Sequence, residues 1–478
     1  MKWTGAAQWM KREAKAGDRL PFDRHIDDAT IRLRDGAVMR TLHIGGMEFE
    51  TQDADQLDHA QGVREVLLRS IIDARFVVYH HVVRRRVTVA SGGEFESPFC
   101  AAVGKQWDDR LAERRLFVNE QFLTIVRRPA RGKTGWPEKL QRTFSRRTED
   151  DHAAIRDLEA ATASLMAGLE PYGARLLSTY RTDTGELSEP LEFLSSIYNG
   201  EMRPVVLPAD GGDLGHHIPY KRVSFGLDAL ETAGAGGRSF AAILSIKEYP
   251  AETRPGLIDN ILRLPCELVL TETFAPADRQ IAKERIDLAL RRQKSSEEES
   301  GTERREMLAA RDALGAGQAG FGDHHFSLMV RAGDLTELDA AMATAAAGIA
   351  DIGAIAVRED VNLEPLFWGQ FPGNEPYIVR RALISTANAA GFISLHGFPV
   401  GQPTENHWGD AVSVLETTSS TPYFFNFHEG DLGHFSIIGP SGSGKTVVLN
   451  FLTAQAQKFE PRTIFFDKDR GAEIFLRA

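Results

Sequence analysis

Phe435-Ser436-Ile437-Ile438-Gly439-Pro440-Ser441-Gly442-Ser443-Gly444-Lys445-Thr446 is the stretch on which the reading of this chain turns. Gly439, Gly444, Lys445 and Thr446 fill every fixed position of G-x-x-x-x-G-K-[ST], with Pro440, Ser441, Gly442 and Ser443 between them. The spacing has a physical cause. Triphosphate oxygens need several backbone N–H groups converging on one point, and glycine lets the chain curl that tightly with positive φ and no Cβ in the way. In this pattern Lys445 reaches the β- and γ-phosphates, and the Thr446 hydroxyl takes a Mg²⁺ position. A helix starting here directs its N-terminal dipole and free N–H groups at the phosphates. The motif therefore implies ATP and Mg²⁺, held by residues 439–446 with Thr446 on the metal.

The flanks support that reading. Phe435 to Ile438 predicts a buried strand, and Val447 to Phe459 predicts a helix with Val448, Leu449, Leu452 and Ala456 on its packed face. Pro461 closes the helix and Thr463 to Phe466 predicts the next strand, giving strand, loop, helix, strand. Asp467, following an apolar run, is a candidate Mg²⁺ carboxylate; no residue is assigned a catalytic role. Only 11 residues follow Asp467 in a chain of 478, which leads us to expect a nucleotide domain cut short.

Working back toward the N-terminus, Thr30 to Arg34 and Val38 to Ile44 predict a hairpin through Asp35-Gly36, a favoured type I′ pair. A helix near Ala54 to Ile72, strands at Phe76 to Val83 and Phe117 to Val126, a polar helix near Asp151 to Leu169 and a strand at Arg175 to Tyr180 follow. A similar order recurs: strands near Val223 to Phe225, Phe240 to Ile246 and Glu267 to Thr271, a helix, strand Phe326 to Val330, helix Leu335 to Ala350 and strand Ile355 to Val357. The last helix opens on an Asp334-x-x-Glu337 capping pattern. Strands and helices mix without strict alternation, the mark of an α+β region. Leu187 to Tyr220 is rich in Pro and Gly and suits a boundary. The expected division is 1–190 and 191–404 as two mixed α+β units, with 405–478 as the start of an α/β nucleotide-binding domain. Pro276 to about Gly315 is highly charged and reads as one long solvated helix, or else as a partner-docking arm.

Composition bounds the function. With 42% hydrophobic and 26% charged residues the chain is of the globular class, and a net charge of −11 argues against a surface that coats nucleic acid. Cys100 and Cys266 form no CxxC, and no apolar run approaches a membrane span. Several weaker features are set aside. Gly132-Lys133-Thr134 has Arg127 where a loop glycine is required. His80-His81, His216-His217 and His324-His325 are adjacent pairs that on strands face opposite sides, so none chelates alone. Phe367, Trp368, Phe371, Trp408, Tyr423, Phe424, Phe425 and Phe427 read as core rather than base-stacking residues. Arg84-Arg85-Arg86 and Arg127 to Arg147 read as solvated basic stretches.

Trp408-Gly409, Thr421 to His428, Gly433-His434, the loop itself and Phe466-Asp467-Lys468-Asp469-Arg470-Gly471-Ala472-Glu473 together resemble the large ATPase of bacterial type IV secretion and conjugation systems, the CagE/TrbE/VirB family. Leu20-Pro21-Phe22, the Asp35-Gly36 hairpin, the Val82 to Val87 strand and Leu366 to Gly373 extend the likeness over essentially the whole chain. The resemblance implies a P-loop NTPase (RecA-like) domain and a cytoplasmic ATPase bound peripherally at the inner membrane. It also implies a homo-oligomer, often hexameric, partnered with inner-membrane and cytoplasmic components of the secretion machine and energising pilus assembly or substrate transfer. Family members continue well past the loop and carry further catalytic motifs there. Two other classes compete: a scaffold whose residues 1 to about 401 dock on membrane partners while nucleotide is secondary, and a DNA-pumping ATPase, against which the charge speaks.

Overall fold

A computed structural model of the chain describes residues 15–478 except 72, 130–143, 184, 210, 296–300 and 469. It divides into two compact units, one of Met1–Arg84 with Asn119–Gly397 and one of Arg85–Val118 with Phe398–Ala478. Gly132-Lys133-Thr134 lies outside the described residues.

The main path of the first unit's sheet runs through β1 (Phe22–His25), β2 (Ile31–Leu33), β3 (Val38–Ile44), β4 (Phe76–Val87), β5 (Leu116–Arg127), β6 (Arg222–Phe225), β7 (Leu230–Gly234), β8 (Gly237–Glu248), β9 (Glu267–Pro276) and β10 (Phe321–Ala332), and the short strands Arg175–Leu176, Ile355–Arg358 and Ala382–Ser385 pair beside it. Their spatial order is β1-β2-β3-β5-β4-β9-β10-β8-β7-β6. Pairing is antiparallel at β3–β5, β4–β9, β9–β10 and β10–β8 in the centre, and at the hairpins on either side. The strands expected in 1–190 and those expected in 191–404 thus share one sheet, joined where β4 meets β9. The boundary expected at 190/191 falls in the first turn of a helix.

Both faces of this sheet are covered, and the two-residue period of the strands assigns the side chains. Met39, Val77, Tyr79 and Val83 enter one core with helices α4 (Glu189–Asn199) and α8 (Leu363–Gly369). Val38, Leu42, Ile44, Phe76 and Val78 enter the other with α3 (Phe144–Gly168). α4 shows why the breaker-rich stretch is not a linker. Ser188 Oγ caps Leu191 N–H, Pro190 sits in the first turn where its missing N–H costs nothing, and Gly200 ends the helix at φ +75°. Between them every residue of 190–199 except Glu192 is buried.

The expected hairpin forms with a different turn. Gly36 alone has positive φ, Gly36 N–H donates to Leu33 O, and Leu33 N–H donates to Ala37 O, which makes a three-residue loop with Gly36 in the left-handed position rather than type I′. Asp35 Oδ1 accepts from Ala37 N–H and steadies the loop. α7 (Leu335–Asp351) begins as expected, with Asp334 Oδ1 accepting from Glu337 N–H at 2.8 Å. The charged stretch forms two helices, α5 (Arg279–Ser295) and α6 (Gly301–Ala316), rather than one; they pack through Ala282, Ile286 and Leu314, an apolar face hidden among the charges. Among the described residues no helix is long and apolar enough to cross a membrane.

The second unit contains α2 (Pro98–Glu113), the antiparallel hairpin β11 (Ser413–Glu416) and β12 (Pro422–Phe425), and helices α9 (Lys445–Ala456) and α10 (Glu473–Arg477).

Candidate functional site

The glycine loop leads directly into α9. Gly442 and Gly444 take φ +79° and +89°, and an added Cβ at either would meet nothing within 4 Å, so backbone conformation alone requires glycine there. Gly439 answers to a different contact, since an added Cβ would lie 2.7 Å from Ser443 Oγ and would have to turn that side chain aside. Gly444 is the N-cap of α9 and offers no side chain to the first-turn N–H groups, which are left for solvent or an anion. The Lys445 ammonium folds back over the loop and donates to Pro440 O at 2.7 Å. Ser441, Gly442 and Thr446 are exposed, as a surface cradle needs. These residues fit a phosphate chain, with Lys445 as its cation and the Thr446 hydroxyl free to face a metal.

A second segment reaches the cradle. Gly471 lies against Thr446, such that a Cβ on it would sit 3.3 Å from Thr446 Cγ2 and 3.7 Å from Oγ1. Asp467 Oδ2 accepts from Ala472 N–H at 2.8 Å and fixes that turn ahead of α10. The carboxylate singled out in the sequence thus holds the neighbouring backbone in place.

The flanking strands do not form. Residues 435–438 and 463–466 have no regular secondary structure and no ladder pairing, and Ile438 and Phe466 are 92% and 94% exposed. An apolar β-prone run becomes a strand only beside a second one, and among the described residues neither segment has such a neighbour. On α9, Leu452 and Ala456 are buried as expected, whereas Val448 is exposed. Sequence reasoning missed what lies behind the helix: Trp107 of α2 packs its ring on Phe451, and Lys458 donates to Ser91 O. The one available signal was the Gly92-Gly93 pair, both at positive φ.

Other singled-out residues are structural. His80 bonds Glu272 at 2.8 Å inside the sheet, His81 Nε2 donates to Gln370 O, His325 Nδ1 donates to Arg380 O, and His324 Nδ1 shares a hydrogen bond with the Tyr249 hydroxyl. Burial pushes His81 and His324 down to about 3 and His325 to about 4, so all three are neutral. His216 lies in a 3₁₀ turn beside Asp18. No group of three or more His, Cys, Asp or Glu among the described residues is placed to hold a metal. Arg84 is not solvated: it is buried in β4 and its Nε donates to Leu264 O. Phe367, Trp368 and Phe371 are core, while Trp408, Phe427 and Phe435 form a half-exposed cluster in the second unit.

Comparison with known proteins gives two family matches. Residues 175–380 match the model described as the CagE, TrbE, VirB family, component of type IV transporter system. Residues 29–134 match the N-terminal domain of the type IV secretion system ATPase VirB4/TrbE. Neither range reaches the glycine loop. The chain is similar along 98% of its length to the type IV secretion system protein virB4 of Bartonella henselae, with 36% identity and 60% of that relative covered. It is 33% identical over 96% of its length to protein virB4 of Agrobacterium fabrum, and 31% identical over 98% to the virB4 protein of Brucella suis, covering 58% and 59% of them. The chain thus spans about 60% of the length of the curated relatives it matches.

Proposed function

Because the chain belongs to the CagE, TrbE, VirB family, components of type IV transporter systems, we propose that it is an ATP-binding, motor-type ATPase subunit that energises a type IV secretion or conjugative transfer machine. One observation supports this above the others: two left-handed glycines open directly into a helix with an uncapped first turn, and Lys445 is folded across the loop they make. In this reading the N–H groups of 439–446 bind the phosphates, Lys445 neutralises the β- and γ-oxygens, and Thr446 holds Mg²⁺, which when bound spreads the charge developing on the transferred phosphoryl. The Gly471 backbone fixed by Asp467 keeps the Thr446 side chain in its place. The loop and α9 belong to a RecA-like domain, and the first unit docks on inner-membrane and cytoplasmic partners of the machine within a homo-oligomer, often hexameric.

The test is calorimetric titration of MgATP into the chain and into Lys445→Ala. Losing a charge-assisted contact of about 1.5–3 kcal/mol should weaken binding by at least about tenfold. Equal affinity in the two proteins would remove the loop from consideration and leave the docking-subunit reading.

A further inference from the structure

The segment Arg85–Val118 interrupts the chain of the first unit, yet it belongs to the unit that carries the glycine loop. Its contacts there are specific. The Trp107 ring lies 4.8 Å from that of Phe451 on α9, and Trp107 Nε1 donates to Val414 O at 2.8 Å, tying the same side chain to the β11–β12 hairpin. Gly104 lacks the Cβ that would meet Phe95 at 2.9 Å and Gln455 of α9 at 3.6 Å, so α2 and α9 approach closely. Just past α9, Lys458 Nζ donates to Ser91 O at 2.9 Å and to Gly92 O at 3.4 Å. The Lys458 stem fills the space over Gly93, where φ is +98° and a Cβ would come within 2.5 Å of Cδ. At its other end α2 brings Phe99 edge-on to Phe475 of α10, 6.1 Å between centroids.

These contacts fall on both elements that frame Thr446. α9 carries Lys445 and Thr446 at its start and is held by α2 near its end; α10 follows the Gly471 turn that rests on Thr446. A rigid helix transmits a tilt along its length, so a shift of Phe451 or Lys458 moves the first turn. A misplacement near 1 Å is enough to cost binding or chemistry at a site that relies on orientation.

We propose that Trp107, Phe99 and Lys458 are positioning residues for the nucleotide site, through which the segment 85–118 sets the relative placement of Lys445, Thr446 and the Gly471 turn. The proposal rests on the reading of the loop as an ATP site. It makes a claim that a passive packing contact would not satisfy: energetic coupling is reciprocal, so if α2 sets the geometry of the loop, occupancy of the loop must stabilise α2.

The experiment is hydrogen–deuterium exchange on the 478-residue chain with and without MgATP, with Lys445→Ala as the reference. Binding at the loop slows exchange in peptides covering 439–448. The proposal adds that amides of 98–113 slow by about fivefold or more, the lower end of ordinary coupling, and that Lys445→Ala abolishes both effects. Protection of 439–448 with no change in 98–113 overturns the proposal and leaves the ATP site standing. No protection in either overturns the ATP reading and the proposal with it. Two variants check the route: Trp107→Ala should weaken MgATP binding about tenfold, and Trp107→Phe, which keeps the stacking on Phe451, should recover most of it. A Trp107→Ala protein that is less stable to urea yet binds MgATP like the parent would overturn the assignment.

Discussion

Gly444→Ala separates conformation from contact in the cradle. At Gly444 the backbone is at φ +89°, ψ 10°, and the added methyl would meet nothing within 4 Å, so the substitution carries only the cost of a left-handed L-residue. That cost is about 1–2 kcal/mol. The loop is exposed and free to relax in the unbound protein, so the cost falls on the bound state, where the N–H groups must converge; MgATP affinity should drop about 5–30-fold. Gly439→Ala meets the opposite situation. Its φ is not positive, and the obstacle is Ser443 Oγ at 2.7 Å, the tip of a side chain that can rotate away. Its effect should be smaller, and Ser443→Ala in the same chain should relieve it while leaving Gly444→Ala unrelieved. Calorimetric titration of the three single and two double variants, each checked for parental circular dichroism, forms two mutant cycles with distinct outcomes: coupling for 439 with 443 and additivity for 444 with 443. Parental affinity in Gly444→Ala would refute the idea that the bound loop keeps this conformation. A Gly439→Ala deficit that persists without the Ser443 hydroxyl would refute the steric account.

His81, His324 and His325 are held neutral with values near 3, 3 and 4, against about 6.5 in the unfolded chain; between those limits the unfolded state binds more protons, so stability falls as pH drops below about 6.5. Each adds a slope of about 1.4 kcal/mol per pH unit in that window, and urea midpoints flat from pH 7 to 4.5 would contradict it. Gln455 is fully buried and neither amide atom has a partner, so Gln455→Met should stabilise the chain by about 1–3 kcal/mol in denaturant titration; a lowered midpoint would mean that the amide is satisfied. Asp467→Ala frees the Gly471 turn from its bond to Ala472 N–H and should weaken MgATP binding about two- to tenfold, with a smaller effect on ATP without the metal. An equal loss with and without Mg²⁺ would place Asp467 away from the metal side of the site.

How much of this was legible depends on the range of the interaction behind each feature. The loop was legible because its requirements are local: positive φ at Gly442 and Gly444, a helix starting at Lys445 and a cation beside it are written within eight residues. The central strands of the first unit were legible as continuous apolar runs, because both their faces are buried, and Phe76 to Val87 feeds two cores with alternate residues; the short strands β1 and β7 were not. Pairing order was not, since nothing in β4 announces that β9, nearly two hundred residues later, will lie beside it with His80 opposite Glu272. The same distance hid α2. Trp107 is an unremarked aromatic in a polar helix until Phe451 and Val414, both far along the chain, close on it.

The two segments beside the loop mark the limit of pattern reading from the other side. Phe435 to Ile438 and Thr463 to Phe466 have every local property of buried strands, yet they carry no regular structure and are unpaired, with Ile438 and Phe466 almost wholly exposed. β-propensity measures how well a side chain fits a pleated, half-buried surface, and that surface is supplied by neighbours. Val38 to Ile44 and Phe117 to Val126 have no stronger local signal, but each lies against the other in register from Val38 with Arg127 to Ile44 with Gln121, and α3 covers the face they make. A strand is therefore a relation between segments, whereas a phosphate loop is a property of one.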